Sequence, residues 1–370
     1  MSTDNLSELH DLSELHGELR AVARDLLAKV DVGTPVDWQQ VAGSGWLGLE
    51  AAEEFDGAAA TFAETAVVLR EAGRALTTGP YPAVATLSLG LLESLASSPA
   101  RDELLRDTVS GGSVPIVVVQ GESNLDEIDQ TSFRITRDEA GWHLRGDADL
   151  VLGAPGADRL LIPALDAEDV GGGIVIVAVD STTSGLTVVD QPVVDLTRSF
   201  GRVIADDVVV PVESVWRFAS DGADALRHLH DRAALGVACD SLGLSEAVMA
   251  LTVEYVGVRE QFGRKIGSFQ AVKHACADML VQVTVAQKLV DAAVGALAAD
   301  QPDAAVAVSM AKSFTSAMAV DVAGKAMQLH GGMGYTWESN IHVYLKRAIL
   351  NRSLFGSPAQ HRAGLAARYR

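Results

Sequence analysis

The chain has 370 residues, of which 48% are apolar, 5% aromatic and 21% charged, with two cysteines. A chain of this length and composition buries a sizeable core in more than one compact unit, which excludes disorder and fibrous structure. The formal net charge of −20 argues against a nucleic-acid surface or an anionic membrane as partner, since both are bound through clustered Lys and Arg.

From Leu6 to Val30 apolar residues recur at helical spacing, and the near-duplicates Leu6-Ser7-Glu8-Leu9-His10 and Leu12-Ser13-Glu14-Leu15-His16 continue that single period. This predicts a helix and not a repeat architecture. No basic lead followed by an apolar run is visible here, so no export signal is expected. Further helical patterns run over Asp37 to Ala42, Thr61 to Leu76, Ala83 to Leu95 and Arg101 to Thr108, separated by Gly and Pro. Residues 1–112 are therefore expected to form an N-terminal helical domain.

At Gly111-Gly112 the pattern changes to β-branched runs: Val114 to Val119, Ser132 to Ile135, Trp142 to Leu144, Leu160 to Pro163, Ile174 to Val179, Leu186 to Val189 and Phe200 to Val210. Short, evenly punctuated strands predict a small antiparallel sheet or barrel over 113–215. Helical periodicity returns from about Ser214, with long helices expected over Ala223 to Phe262, Phe269 to Leu297 and Ala304 to Leu329, so that 216–370 forms a C-terminal helical bundle. No membrane span is expected: the longest apolar stretches, such as Ala304 to Gly324, are broken by Lys312 and Asp321. Cys239 and Cys276 lack a metal spacing and are expected to be packing residues in a reducing, cytoplasmic setting. No metal site is expected.

Two clusters carry chemistry. Arg259-Glu260-Gln261-Phe262-Gly263 closes the first long helix and is followed by Ile266-Gly267-Ser268-Phe269-Gln270. A guanidinium forks two phosphate oxygens, and a Gly after an aromatic lets the chain turn away from a stacked ring. The same residues also read as a helix C-terminus whose Arg complements the helix dipole. The second cluster, Gln328-Leu329-His330-Gly331-Gly332-Met333-Gly334-Tyr335-Thr336-Trp337-Glu338, puts three glycines in four residues beside Gln328 and Glu338. Without Cβ atoms, such a stretch lets backbone amides approach a bulky polar ligand.

Together with the helix, sheet, helix order, these clusters resemble the acyl-CoA dehydrogenase family over essentially the whole chain. Further matching features are Trp38 through Gly48, Glu53-Glu54-Phe55-Asp56-Gly57, Gly79-Pro80-Tyr81 and Ala277-Asp278-Met279. The resemblance implies a mostly α fold with a middle β-domain: an N-terminal helical domain, a β-barrel-like domain and a C-terminal four-helix bundle that makes a tetramer core. It implies FAD bound across a subunit boundary. Arg259, Gln261 and Phe262, with Gln328, Gly331 and Gly332, would hold the pyrophosphate and adenosine end of a flavin whose ring lies in the neighbouring subunit. It also implies an acyl-CoA substrate, α,β-dehydrogenation to a trans-2-enoyl-CoA, and an electron-transfer flavoprotein as redox partner.

The family reaction needs a carboxylate in contact with the thioester Cα, because general-base abstraction is a contact event. Most members place it just before a Gly in a turn after the last long helix, which here reads Phe355-Gly356-Ser357. A minority place it on the first long helix about seven turns before the arginine, which lands on Ala233. Neither residue accepts a proton. Asp231 is the weak remaining candidate, two residues and so roughly 200° away around the helix. Asp240, Glu246 and Glu254 are expected to cap, pair or face solvent, and His230 and His361 to be surface or packing histidines. The flavin-ring loop and strand depart as well, reading Val119-Gln120-Gly121-Glu122-Ser123-Asn124 and Leu150-Val151-Leu152-Gly153.

Loss of the base and of the ring loop, with the adenosine-side residues retained, resembles the non-catalytic subunit of heteromeric acyl-CoA dehydrogenases. Such α2β2 heterotetramers act in the breakdown of steroid side-chain thioesters. Two alternatives stand beside this expectation: a self-sufficient homotetramer using Asp231 or another displaced acid, and a non-redox acyl-CoA-binding or structural relative. A flavin-dependent oxygenase on the same scaffold is a further one.

Overall fold

The computed structural model describes residues 3–122, 131–138, 141–167 and 173–368; Ser123 and Asn124 of the ring loop lie outside them. Helices come first: α1 (Thr3–Leu27), α2 (Trp38–Gly43), α3 (Phe62–Arg74), the short α4 (Tyr81–Ala83), α5 (Leu89–Ser94) and α6 (Pro99–Val109). Their starts are written in the sequence. Thr61 and Glu64 form a reciprocal capping box at α3, Asp37 caps α2, and Ser98 followed by Pro99 opens α6. The stretch expected as one helix from Ala83 is α4 and α5 joined by a π-helical turn, Val84–Ser88.

Eight strands follow: β1 (Pro115–Val117), β2 (Arg134–Asp138), β3 (Gly141–Leu152), β4 (Arg159–Asp166), β5 (Ile174–Asp180), β6 (Leu186–Asp190), β7 (Phe200–Val210) and β8 (Val215–Arg217). They form one sheet in the order β6-β7-β3-β2-β4-β5-β8, with β1 added on β4. The expected antiparallel sheet is in fact mixed, because β4 pairs in parallel with both β1 and β2. Among the described residues its path is open and not closed into a barrel. β3 runs far beyond the expected Trp142 to Leu144, its pairing with β7 carried through two register shifts. Leu160–Ala164 and Val175–Val179 are buried without alternation, as strands covered on both faces must be.

The last part is helical: α7 (Gly222–Val258), a two-stranded hairpin of β9 (Glu260–Gln261) and β10 (Arg264–Lys265), α8 (Gln270–Ala298), α9 (Ala304–His330), α10 (Ile341–Ser353) and α11 (Pro358–Ala367). α7 packs against α3, α8 and α9. Its crossing with α3 is close enough to require glycine on both helices. A Cβ on Gly243 would meet the Arg70 carbonyl oxygen at 1.8 Å, and one on Gly73 would meet that of Asp240 at 2.1 Å.

Two expectations need correction. α7 stops at Val258 and not at Phe262, because Phe262 and Gly263 both take positive φ (56° and 73°) and form the two-residue turn of the hairpin, a geometry that matches strand twist. By length and composition alone, the helices starting at Gly222, Gln270 and Ala304 are apolar enough to cross a membrane. Lys312 and Asp321 are too few to break that pattern.

A buried polar cluster joins the three parts. The Arg347 side chain on α10 is fully buried; it donates to Asp195 Oδ2 (2.9 Å), Asp240 Oδ1 (3.0 Å) and the Thr77 carbonyl (2.8 Å). Arg198 donates to Asp240 Oδ1 (2.8 Å) and to the same Thr77 carbonyl (3.0 Å), while Asn351 donates to Asp240 Oδ2 (2.7 Å). The cluster therefore ties the loop after α3, the loop after β6, α7 and α10 together. Burial alone would raise the Asp240 carboxyl, but the Arg347 and Arg198 guanidiniums and Asn351 hold it below its ordinary value.

Candidate functional site

The predicted site residues fall at two ends of α7. At its C-terminal end Arg259 leaves the helix, its amide donating to the Tyr255 carbonyl (2.9 Å). The hairpin that follows is fastened by Ile266 N donating to Arg259 O (2.8 Å). It displays Phe262 with 91% of its surface exposed. The Phe262 ring meets Phe269 edge-on at 6.2 Å, and the Arg264 guanidinium covers Phe269 at 3.9 Å. Arg259 and Gln261 are exposed, and Arg259 has no ion-pair partner among the described residues.

The second cluster ends α9. Gln328, Gly331 and Gly332 are exposed, and a Cβ on either glycine would meet nothing within 4 Å. Gly331 has a φ of 57° with ψ −135°, a conformation open to glycine and costly for other residues. The two clusters are brought together by Tyr255 and His330, whose rings stack at 4.4 Å. An unpaired guanidinium, an exposed ring and bare backbone on one surface suit a diphosphate carrying a flat heterocycle. On this evidence the residues fit the nucleotide end of a dinucleotide.

The other end of α7 holds the positions where an acid was sought. Ala233 and Phe355 are 1% and 3% exposed, and around them lies a buried cluster of basic side chains. His230 meets the Phe355 ring edge-on at 6.0 Å and the His361 ring at 6.3 Å. The His361 Nε2–H donates to the Phe355 carbonyl (2.9 Å), and Lys312 Nζ donates to the carbonyls of Asn351 (3.1 Å) and Gly356 (2.8 Å). Neither ring nitrogen of His230 has a hydrogen-bond partner among the described residues. Burial, with the neighbouring His361 and Lys312, pushes His230 down to about 3; burial also lowers His361 to about 4 and Lys312 to about 7. The two histidines are therefore neutral, buried packing residues, as one of the sequence expectations had them.

The strand and loop expected to touch a flavin ring are closed on this turn. Phe355 N donates to Gly121 O (2.7 Å), and Gly121 N donates to Leu150 O (3.1 Å). A Cβ on Gly121 would meet Leu150 O at 2.9 Å and the Leu354 side chain at 3.1 Å. Turn, loop and strand are thus in main-chain contact at Phe355, Gly121 and Leu150.

Asp231 is partly buried, and burial pushes its carboxyl up to about 6 against the opposing charge of Arg368 just past α11. Of the other acids, Asp240 pairs in the buried cluster, Glu246 pairs with Arg70, and Glu254 is exposed. Sequence reasoning missed Lys312 and Arg347 as structural centres. A charge with no other within eight residues on either side in an Ala-rich helix was the available signal for Lys312.

Comparison with known proteins places these observations. Residues 220–369 match the acyl-CoA dehydrogenase C-terminal domain, and residues 14–112 match the acyl-CoA dehydrogenase N-terminal domain. The chain is 30% identical to the acyl-CoA dehydrogenase IpdE2 of Mycobacterium tuberculosis over 83% of this chain and 78% of that one. It is 29% identical to IpdE2 of Mycolicibacterium smegmatis over 85% and 81%. Among solved structures it is similar to the Tcur3481-Tcur3483 steroid acyl-CoA dehydrogenase, with a TM-score of 0.82 and 25% identity over 96% of this chain and 98% of that one.

Proposed function

The chain belongs to the acyl-CoA dehydrogenase family, and from that membership we propose that it is a subunit lacking its own base, which completes the nucleotide end of the FAD site of a homologous catalytic partner. The family is one of FAD-dependent oxidoreductases that dehydrogenate acyl-CoA thioesters between Cα and Cβ. FAD, when bound, supplies the acceptor for the Cβ hydrogen.

One observation carries the reading: the positions for a base hold Phe355 and Ala233, both buried, while the nucleotide-side residues face outward. Arg259, just past the end of α7, is 26 residues beyond Ala233, about 39 Å along the helix axis at 1.5 Å per residue. Residues so far apart serve different flavins. On this reading Arg259 would hold the diphosphate, Phe262 and Gln261 would serve the adenosine, and Gln328 with the Gly331-Gly332 backbone would complete the site. The partner supplies the ring seat and the carboxylate, and no proton-transfer step is routed through this chain. Asp231, the acid of the alternative reading, is partly buried and lies within the electrostatic reach of Arg368.

The likeness to a steroid acyl-CoA dehydrogenase with a paired name supports a bulky acyl-CoA, such as a steroid side-chain thioester, as the substrate of the assembled α2β2 heterotetramer in the cytoplasm. An electron-transfer flavoprotein would be the redox partner of that assembly. Co-expression with a homologous subunit is expected to give equal amounts of both chains and two flavins per four chains, with Arg259→Ala lowering the flavin content. If the purified chain alone holds stoichiometric FAD that an acyl-CoA reduces, the proposal is wrong.

A further inference from the structure

The two nucleotide-side clusters come from separate helices, and each is anchored locally by its own. The hairpin after α7 folds back so closely that a Cβ on Gly267 would meet Val256 O at 2.8 Å. The turn after α9 does the same, with Gly334 against Met327 O at 2.9 Å. Local anchoring fixes each cluster relative to its helix. It leaves the distance between the clusters to whatever holds the two helix ends together.

Among the described residues, one pair supplies both the ring contact and the hydrogen bond between these ends. The Tyr255 and His330 rings stack at 4.4 Å with 19° between planes, and the Tyr255 hydroxyl donates to the His330 carbonyl at 3.4 Å. Each residue sits at the root of a cluster. The Tyr255 carbonyl accepts the Arg259 amide, and His330 is the last residue of α9 before Gly331. His330 is itself fixed: it is buried, and its Nδ1–H donates to Ala326 O at 2.9 Å. The pair is therefore a rigid strut between the two backbones that present Arg259 and the glycines.

We propose that Tyr255 and His330 are positioning residues for the nucleotide half-site: without touching the nucleotide, their stack sets the gap between the Arg259–Phe262 edge and the Gly331-Gly332 backbone. This rests on the reading that those clusters hold the adenosine diphosphate end of FAD. The cost of misplacing two converging sets of donors falls on binding and not on folding, since α7 and α9 remain packed along the rest of their length.

The test titrates the assembled protein, freed of its flavin, with ADP, the half of FAD that these clusters would contact, by calorimetry, and records a thermal melt for every variant. Tyr255→Leu is expected to weaken ADP roughly tenfold, on the scale of one lost ring contact, with little change in the melt. Tyr255→Phe keeps the ring and should bind within about twofold, because a 3.4 Å hydrogen bond contributes little. His330→Gln removes the other ring and carries the same expectation as Tyr255→Leu, so a folding failure of either variant leaves the other to decide. If Arg259→Ala weakens ADP while both ring-deleted variants bind it like the natural protein, the positioning role is refuted and the half-site reading survives. If Arg259→Ala also leaves ADP binding unchanged, both fall.

Discussion

Arg347→Met tests whether the three parts of the chain are held by the buried cluster. The Arg347 and Asp195 side chains are both fully buried. Among the described residues, removing the guanidinium leaves the Asp195 carboxylate hydrogen-bonded only to the Thr197 amide and hydroxyl, with the Arg198 charge near it, while Asp240 keeps Arg198 and Asn351. Breaking a buried pair and stranding one charge costs about 3–5 kcal/mol. Unfolding entropy of about 2.1 cal/mol/K per residue gives about 0.8 kcal/mol/K for a chain of this length, so the melting temperature should fall by about 4–6 °C. Urea unfolding followed by tryptophan fluorescence measures the free energy, and calorimetry the temperature. Arg347→Met combined with Asp195→Asn removes the stranded charge and should recover about 1–2 kcal/mol. The sign with pH follows from Asp240, whose carboxyl is held low in the folded chain. Its contribution is present above its unfolded value and is lost as pH falls through the folded one, so the gap between natural and variant chains should narrow in acid. A loss below about 1 kcal/mol for the single variant, or no recovery in the double, refutes the idea that paired burial of Arg347 welds the layers.

Phe355→Glu restores a carboxyl at the usual base position but not a seat for the flavin ring. The chain alone should still fail to bleach flavin absorbance with an acyl-CoA, and it should lose about 2–4 kcal/mol from the buried ring; flavin reduction by this variant alone would show the seat to be open. Asp231→Asn should leave turnover of the assembled enzyme within about twofold in a steady-state assay, whereas a loss of a hundredfold or more, the scale of a missing general base, would move the base to this chain. His230 and His361 are neutral when folded, at about 3 and about 4 against an ordinary 6.5. Between about pH 4 and 6.5 the unfolded chain binds more protons, so stability should rise with pH by up to about 1.4 kcal/mol per pH unit per histidine. His361→Gln should flatten that slope in urea midpoints taken at intervals from pH 4.5 to 7, and an unchanged slope would count against burial of the neutral ring.

That the two usual base positions hold no acid was legible because it is a matter of residue type at Phe355 and Ala233 and needs no geometry. The proposed nucleotide-side residues were legible for a related reason: Arg259 to Phe262 and Gln328 to Gly332 are contiguous runs, so their chemistry is visible before folding. The contact between the loop, the strand and the Phe355 turn was only half visible. Leu150 and Leu152 announce a changed strand, but main-chain contact between Gly121, Leu150 and Phe355 joins residues more than two hundred positions apart.

By itself the sequence determined the order of helices, sheet and helices, most helix starts and the two motif clusters, since periodicity and capping act within a few residues. It misplaced the end of α7 because the Phe262-Gly263 turn depends on the hairpin beyond it. Tertiary structure alone decided that Lys312, His230 and His361 are buried, that Asp240 answers to Arg198 and Arg347, and that Tyr255 meets His330. Burial and long-range pairing are properties of the folded whole, in which groups far apart in the chain share one environment, and no local pattern encodes them.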